Sequence, residues 1–371
     1  MQLDFLIDEK IYGRLDKMND PLAKLDAIMD WNPFIDIIDE LRPDRTNDGK
    51  GGRPPIPSGA LFKGMLIGKI YNLAKEQLEF QITDRASFSR FCGLKLGEKS
   101  PDANTFRLLE EKLKETGAYD KLFEALLASL SNVGLEYSKC AIVDASYVDA
   151  PRNRNIKKEN REILKERDKN PDTPIPFELD KEQVYDLESH LPENERTMTH
   201  VLRQTDTDAR WAKKGDEVHY GYKDHVVVDA KTKLIIAHEV TSASVHDSQK
   251  LVDVVPEGTE SLYDDAGYVG EDIDKKLKEK CPNVGHFTSA KSQKNKPLTK
   301  EQKEHNRGVV ARVRARVEHV FGRITYCMGG MTVRCIGIAR AKCHISLRDF
   351  AYNIMRYSTL VKLGKAQKMT I

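Results

Sequence analysis

The sequence predicts a mixed α/β protein, in which a helical N-terminal domain precedes a second domain built on a central sheet. Three observations predict it. Apolar residues recur at helical spacing as far as Leu113. Near residue 138 the pattern changes to a β-rich apolar run. Beyond residue 217, strand-like and helix-like segments alternate up to about Tyr326.

Residues 1–45 read as helical, with Leu22, Leu25, Ile28 and Met29 on one face. The Gly- and Pro-rich stretch 44–57 reads as a linker. Ser58 is an expected N-cap, and Leu61, Met65, Leu66, Ile70 and Leu73 line the helix that follows. A short helix is expected over Ala86–Phe91. Another starts at Ser100–Thr105 and continues through Phe106, Leu109 and Leu113. Several short helices in succession suit a helix-turn-helix reader of DNA, although most small helical domains read no DNA.

Lys139–Val148 reads as a buried strand. Residues 152–210 are highly charged and carry Pro171, Pro174, Pro176 and Pro192, the pattern of a polar insertion. Val218–Asp229 and Lys233–Ser242 read as a hairpin turning at Ala230–Thr232. Then come a helix near Ser248–Val255, a short strand ending at Asp265, a helix over Glu271–Lys280 and a strand over Val284–Ser289. A long basic helix from Lys300 to about Tyr326 has Val313, Val317, Val320 and Phe321 as its apolar stripe. This order suits an RNase H-like mixed sheet flanked by helices, and other α/β folds as well. The expected domains are therefore 1–137, helical, and 138–371, with a polar insertion at about 152–210 after the first strand.

A chain of 371 residues with 39% hydrophobic and 32% charged residues is globular in composition. No apolar run approaches the ~18 residues that cross a bilayer. The first ten residues include Asp4, Asp8 and Glu9 and do not read as a secretory leader, so a cytoplasmic location is expected. None of the six cysteines forms a C-x-x-C pair, which disfavours a zinc site. The net charge of +2 hides a gradient: residues 291–371 hold 18 Lys/Arg against 4 Asp/Glu. Such an asymmetry points to a polyanionic partner or to a solvated basic face.

Three acids stand where acids are unusual. Asp144 interrupts the apolar run around Ile142 and Val143. Asp265 ends a short strand. Glu318 lies in the basic helix among Arg312, Arg314, Arg316 and Arg323. Carboxylates in apolar surroundings cost several kcal/mol unless they are paired or bind a cation, and three that converge suit hard divalent ions. Taken singly, a strand-end Asp is commonly a cap and a Glu among arginines is commonly half of an ion pair. Asp264 competes with Asp265, and Asp149 with Asp144.

Four motifs in order narrow this choice. Val143-Asp-Ala-Ser-Tyr-Val-Asp-Ala-Pro151 resembles the first-aspartate motif of bacterial transposases of the insertion sequence five family. Thr205–Gly215 followed by His219-Tyr-Gly-Tyr-Lys-Asp-His225 resembles the stretch before that family's second strand. Leu262-Tyr-Asp-Asp-Ala-Gly-Tyr-Val-Gly270 resembles its second-aspartate motif, in which Asp stands two before Gly-Tyr; the offset selects Asp265. Arg314-Ala-Arg-Val-Glu-His-Val-Phe-Gly322 resembles its glutamate motif, which selects Glu318 and Arg314. The family's flanking Tyr and Lys are Ala311 and Thr325 here.

The resemblance implies a DDE transposase that hydrolyses a phosphodiester at each transposon end and joins the freed 3′-hydroxyl to target DNA. Asp144, Asp265 and Glu318 would hold two Mg²⁺ or Mn²⁺ ions. Lys213, Lys214, Lys223, Arg312, Arg314, Arg316 and Arg323 would contact DNA, with Tyr268 and His319 as accessory residues. The partners implied are the inverted-repeat ends, target DNA and a second copy of the chain. A nuclease that only cuts, and an inactive DNA-binding derivative, remain as alternatives.

Overall fold

The N-terminal region begins as three short helices rather than one long one: α1 (Gln2–Lys17), α2 (Pro21–Asp26) and α3 (Asn32–Glu40). The breaks are chemical. Asp20 accepts from Leu22 N–H at 3.0 Å and Pro21 opens α2. Leu22, Leu25, Ile28 and Met29 are all buried. Five more helices follow: α4 (Ser58–Ile70), α5 (Lys75–Asp84), α6 (Ala86–Phe91), α7 (Ala103–Thr116) and α8 (Ala118–Asn132). Ser58 is not the cap expected from sequence. Pro57 takes that position, and the Ser58 hydroxyl instead donates to Asp39 and accepts from Arg42 Nη1 at 2.6 Å. Asp102 caps α7 through Thr105 N–H at 2.7 Å. These features come from a computed structural model that describes residues 2–42, 55–137, 139–152, 205–268, 270–290 and 297–369. Most of the expected linker and most of the expected polar insertion lie outside the described residues.

The sheet begins with β1 (Cys140–Asp149), as the apolar run predicts, and continues with β2 (Arg210–Lys214), β3 (Glu217–Asp229), β4 (Ile235–Ser242), β5 (Ser261–Asp264) and β6 (Gly285–Thr288). β2 falls at the edge of the expected insertion and was not anticipated. The hairpin β3–β4 is antiparallel, β1 pairs antiparallel with β3, and β5 and β6 add in parallel on the other side of β1. The order β4-β3-β1-β5-β6, three antiparallel strands then two parallel, is that of an RNase H-like sheet. β2 extends the edge of β3 beside β4.

Strand alternation gives the sheet two faces. Ile142, Val226 and Val228 join one apolar core. Ala141, Val143, Val227 and Leu262 join another, with α9 (Leu251–Val254) and α10 (Glu271–Lys280). The first core is covered by the basic helix and by a helix not anticipated from sequence, α13 (Ile338–Lys362). The basic helix is itself divided into α11 (Lys300–His305), a π-helical turn (Asn306–Val310) and α12 (Ala311–Cys327). Phe350 of α13 meets Phe34 and Phe62 at ring centroids 5.2 and 5.6 Å apart, so the N-terminal helices and the sheet share one core through α13. No helix among the described residues is long and apolar enough to cross a membrane.

Candidate active site

Two acids meet where β1 and β5 run side by side. The parallel register pairs Cys140 with Ser261, Ala141 with Leu262 and Ile142 with Tyr263. Continued by two residues, it sets Asp144 level with Asp265. Alternation decides which way each acid faces. Asp144 shares its face with Ile142 and stands opposite Val226, on the side covered by α12. Asp265 lies one residue past β5, after Tyr263, which packs against that core; were the alternation continued, it would share the face of Tyr263.

Asp264 takes the other face. It is 0% exposed, and its Oδ2 accepts from His286 Nε2 at 2.6 Å. The two residues left as rivals by sequence therefore differ in environment. Asp265 stands at the strand end with its Oδ1 held by Gly267 N–H at 2.7 Å.

Burial pushes the Asp144 carboxyl up from its usual range. Arg314 and the Ala145 N–H pull it down, and Asp265 pushes it up again. The Arg314 guanidinium lies 3.3 Å from Asp144 Oδ2, and Asp144 Oδ1 accepts from Ala145 N–H at 2.9 Å. Lys214, at the end of β2, is close enough to favour the ionised form as well. The Tyr268 ring is 1% exposed, and its hydroxyl has no hydrogen-bond partner among the described residues. Burial first, then Asp247, Asp144, Asp265 and Asp264, push that hydroxyl well above its ordinary value.

Glu318 is not part of this meeting. It follows Arg314 by one turn of α12, about 6 Å along the helix, and is exposed. Among the described residues it makes no hydrogen bond or ion pair, and no three His, Cys, Asp or Glu side chains form a group able to hold a metal.

The basic residues divide by burial. Lys213, Lys214, Arg312, Arg316 and Arg323 are exposed, with Arg316 also donating to Ala230 O. Lys223 differs from expectation. It is 7% exposed, and its amine is taken by Val245 O and Asp247 Oδ1, both at 2.8 Å. An inward-facing residue on a central strand supplied that burial. His319 is exposed and accepts from the Lys233 amine at 3.1 Å. Sequence reasoning also missed Asp247, His286 and Asp274 around the acids. His286 had a signal, as a polar residue inside a short strand; Asp247 had none without the fold.

A divalent cation fits the donors that do meet. Asp144 and Asp265 carry hard carboxylate oxygens, and the charge of Asp265 disfavours ionisation of Asp144. The family model described as "Transposase DDE domain" matches residues 138–354, and one described as "Transposase domain" matches 9–112. Among solved structures the chain is similar to the piggyBac transposase synaptic complex with hairpin DNA. The TM-score is 0.42 and identity 10%, with 95% of this chain and 77% of that one covered.

Proposed function

This chain belongs to the family defined by the transposase DDE domain, enzymes that cut and transfer DNA with divalent metal ions, and we propose that Asp144, Asp265 and Glu318 are its metal-binding acids. One observation carries the proposal: Asp144 on β1 and Asp265, one residue past the end of the neighbouring parallel strand β5, are close enough for the charge of one to disfavour ionisation of the other. They lie at the C-terminal end of β5, where open α/β sheets hold their ligands. Two Mg²⁺ ions, or Mn²⁺, are the proposed occupants. Bound there, they supply Lewis acidity toward phosphate oxygens.

The chain's own residues do the rest. Asp144 and Asp265 hold the cations, and Asp265 is kept in place by Gly267 N–H. Arg314 orients Asp144. Glu318 completes the set by swinging its long, solvent-facing side chain from the next turn of α12. Exposed Lys213, Lys214, Arg312, Arg316 and Arg323 hold DNA phosphates, with His319 as an accessory residue; Tyr268, expected beside it, is a buried core residue and packs inside the fold. The buried Lys223 acts inside the fold, by fixing Asp247. The helices of 1–137 bind the transposon ends, 138–371 carries out the chemistry, and two copies of the chain bring two ends together.

The test uses the DNA that flanks this reading frame, with pre-cut 3′-hydroxyl ends, target plasmid and Mg²⁺. Joined product is expected from the wild type and none from Asp144→Asn, Asp265→Asn or Glu318→Gln. Hydrolysis without joining makes the protein a nuclease. Activity that survives all three substitutions removes the acids from the chemistry.

A further inference from the structure

Asp265 stands just beyond the last residue of a four-residue strand, where little backbone pairing holds it. On the β1 side the register ends at Tyr263. On the β6 side it runs one residue further, pairing Asp264 with Thr288. The direction of Asp265 therefore depends on how firmly Asp264 is tied to β6.

That tie is a chain of side chains that runs from buried Asp264 to half-exposed Asp274, on the face opposite the proposed metal ligands. Asp264 is 0% exposed, and His286 Nε2 lies 2.6 Å from its Oδ2. Thr288 Oγ1 lies 3.0 Å from the same nitrogen. The other ring nitrogen, Nδ1, lies 2.6 Å from Asp274 Oδ1 on α10. With a carboxylate at each nitrogen, the ring can donate at both ends and cannot turn. Asp264 Oδ1 has no partner among the described residues, so a slip of the strand end would leave the whole carboxylate buried and unpaired. Successive side chains point to opposite faces. Locking Asp264 toward β6 thus aims Asp265 at Asp144.

We propose that His286, clamped by Asp274, is a positioning residue that acts through Asp264 to set the direction of the Asp265 carboxylate and so the affinity of the site for a divalent cation. This rests on the reading of Asp265 as a metal ligand. Outer partners of ligating groups typically change metal affinity by about 10- to 100-fold.

The test is Mn²⁺ binding to the intact chain, read from the paramagnetic resonance signal of free Mn²⁺, with thermal melting alongside. His286→Leu should weaken binding by about 10-fold or more, while His286→Gln, which keeps a donor near the Nε2 position, recovers most of it. Asp274→Ala, at the half-exposed end of the chain of side chains, should cost severalfold. Wild-type affinity in a folded His286→Leu protein overturns the proposal. Should that variant fail to fold, unchanged affinity in Asp274→Ala overturns it instead. Asp265→Asn is the separate control: if it binds Mn²⁺ like the wild type, the ligand reading itself fails, whatever His286 does.

Discussion

Two acids on the same face of the sheet, one strand apart, have opposite fates. Asp224 of β3 stands opposite Ser146, two residues beyond the position where Asp144 of β1 stands opposite Val226. Both receive an arginine from the helices above. Asp224 and Asp349 are 0% exposed and share Arg348, whose Nη2 lies 2.5 Å from Asp224 Oδ2 and 3.0 Å from Asp349 Oδ1. Asp144 keeps an 18% exposed side chain, one arginine at 3.3 Å and a like-charged neighbour in Asp265. The first cluster buries its counterion within the chain and ties β3 to α13. Each sets two carboxylates against one arginine, but only the second is reached by solvent, from which an outside ion can balance the excess charge. An acid pair sealed inside the fold belongs to architecture; one that solvent reaches belongs to a site.

The sharpest way to break this contrast is Arg348→Met. Two buried carboxylates lose their shared partner, and a loss of about 3–5 kcal/mol is expected. A urea midpoint equal to that of the wild type would mean that the cluster is not structural. Asp144→Asn should do the reverse. Strand transfer should fall roughly 100- to 1000-fold, with no loss of stability at neutral pH. The sign follows from the raised pKa of Asp144: the stability it contributes is complete below the unfolded value and lost as pH rises through the folded one. The Asn variant has no such loss, so its melting temperature should gain on the wild type between acid and neutral pH.

Metal response sharpens the contrast further. At 100 times its dissociation constant, Mn²⁺ should stabilise the wild type by about 2.7 kcal/mol. Asp144→Asn should lose that response and Asp224→Asn should keep it. A response lost equally in both would merge the two clusters into one. The smallest effect is expected from Gly267→Ala. An added Cβ would lie 2.9 Å from Asp265 Oδ1, which can swing aside without disturbing the backbone. Melting should be unchanged and Mn²⁺ binding roughly threefold weaker, under ~1 kcal/mol. Equal binding would show that the exact lie of that carboxylate does not matter.

Much of the fold was legible because local chemistry and tertiary structure agree. Lys139–Val148 reads as a strand, and Cys140–Asp149 is one, since an apolar β-branched run suits a central strand. Glu271–Lys280 reads as a helix and is one, with acids in its first turn and lysines in its last. α13 escaped because it is buried nearly all round in its middle, polar Ser346, Arg348, Asp349 and Asn353 included, so no apolar stripe marked it; it became legible only as the helix on which the N-terminal helices and one face of the sheet pack. Ser58 and Lys223 escaped because their partners, Asp39 and Arg42 for one and Val245 and Asp247 for the other, are distant in sequence.

By itself, then, the order of residues determined the helix-then-sheet architecture and singled out Asp144 as an acid out of place among apolar neighbours. It also confined the second acid to one of two adjacent positions, and motif resemblance favoured Asp265. The environments of Asp264 and Asp265 were decided only in three dimensions. Alternation sends the pair to opposite faces, and which face holds a histidine and which a second carboxylate depends on β6 and β1, strands brought together by packing of residues far apart in the chain.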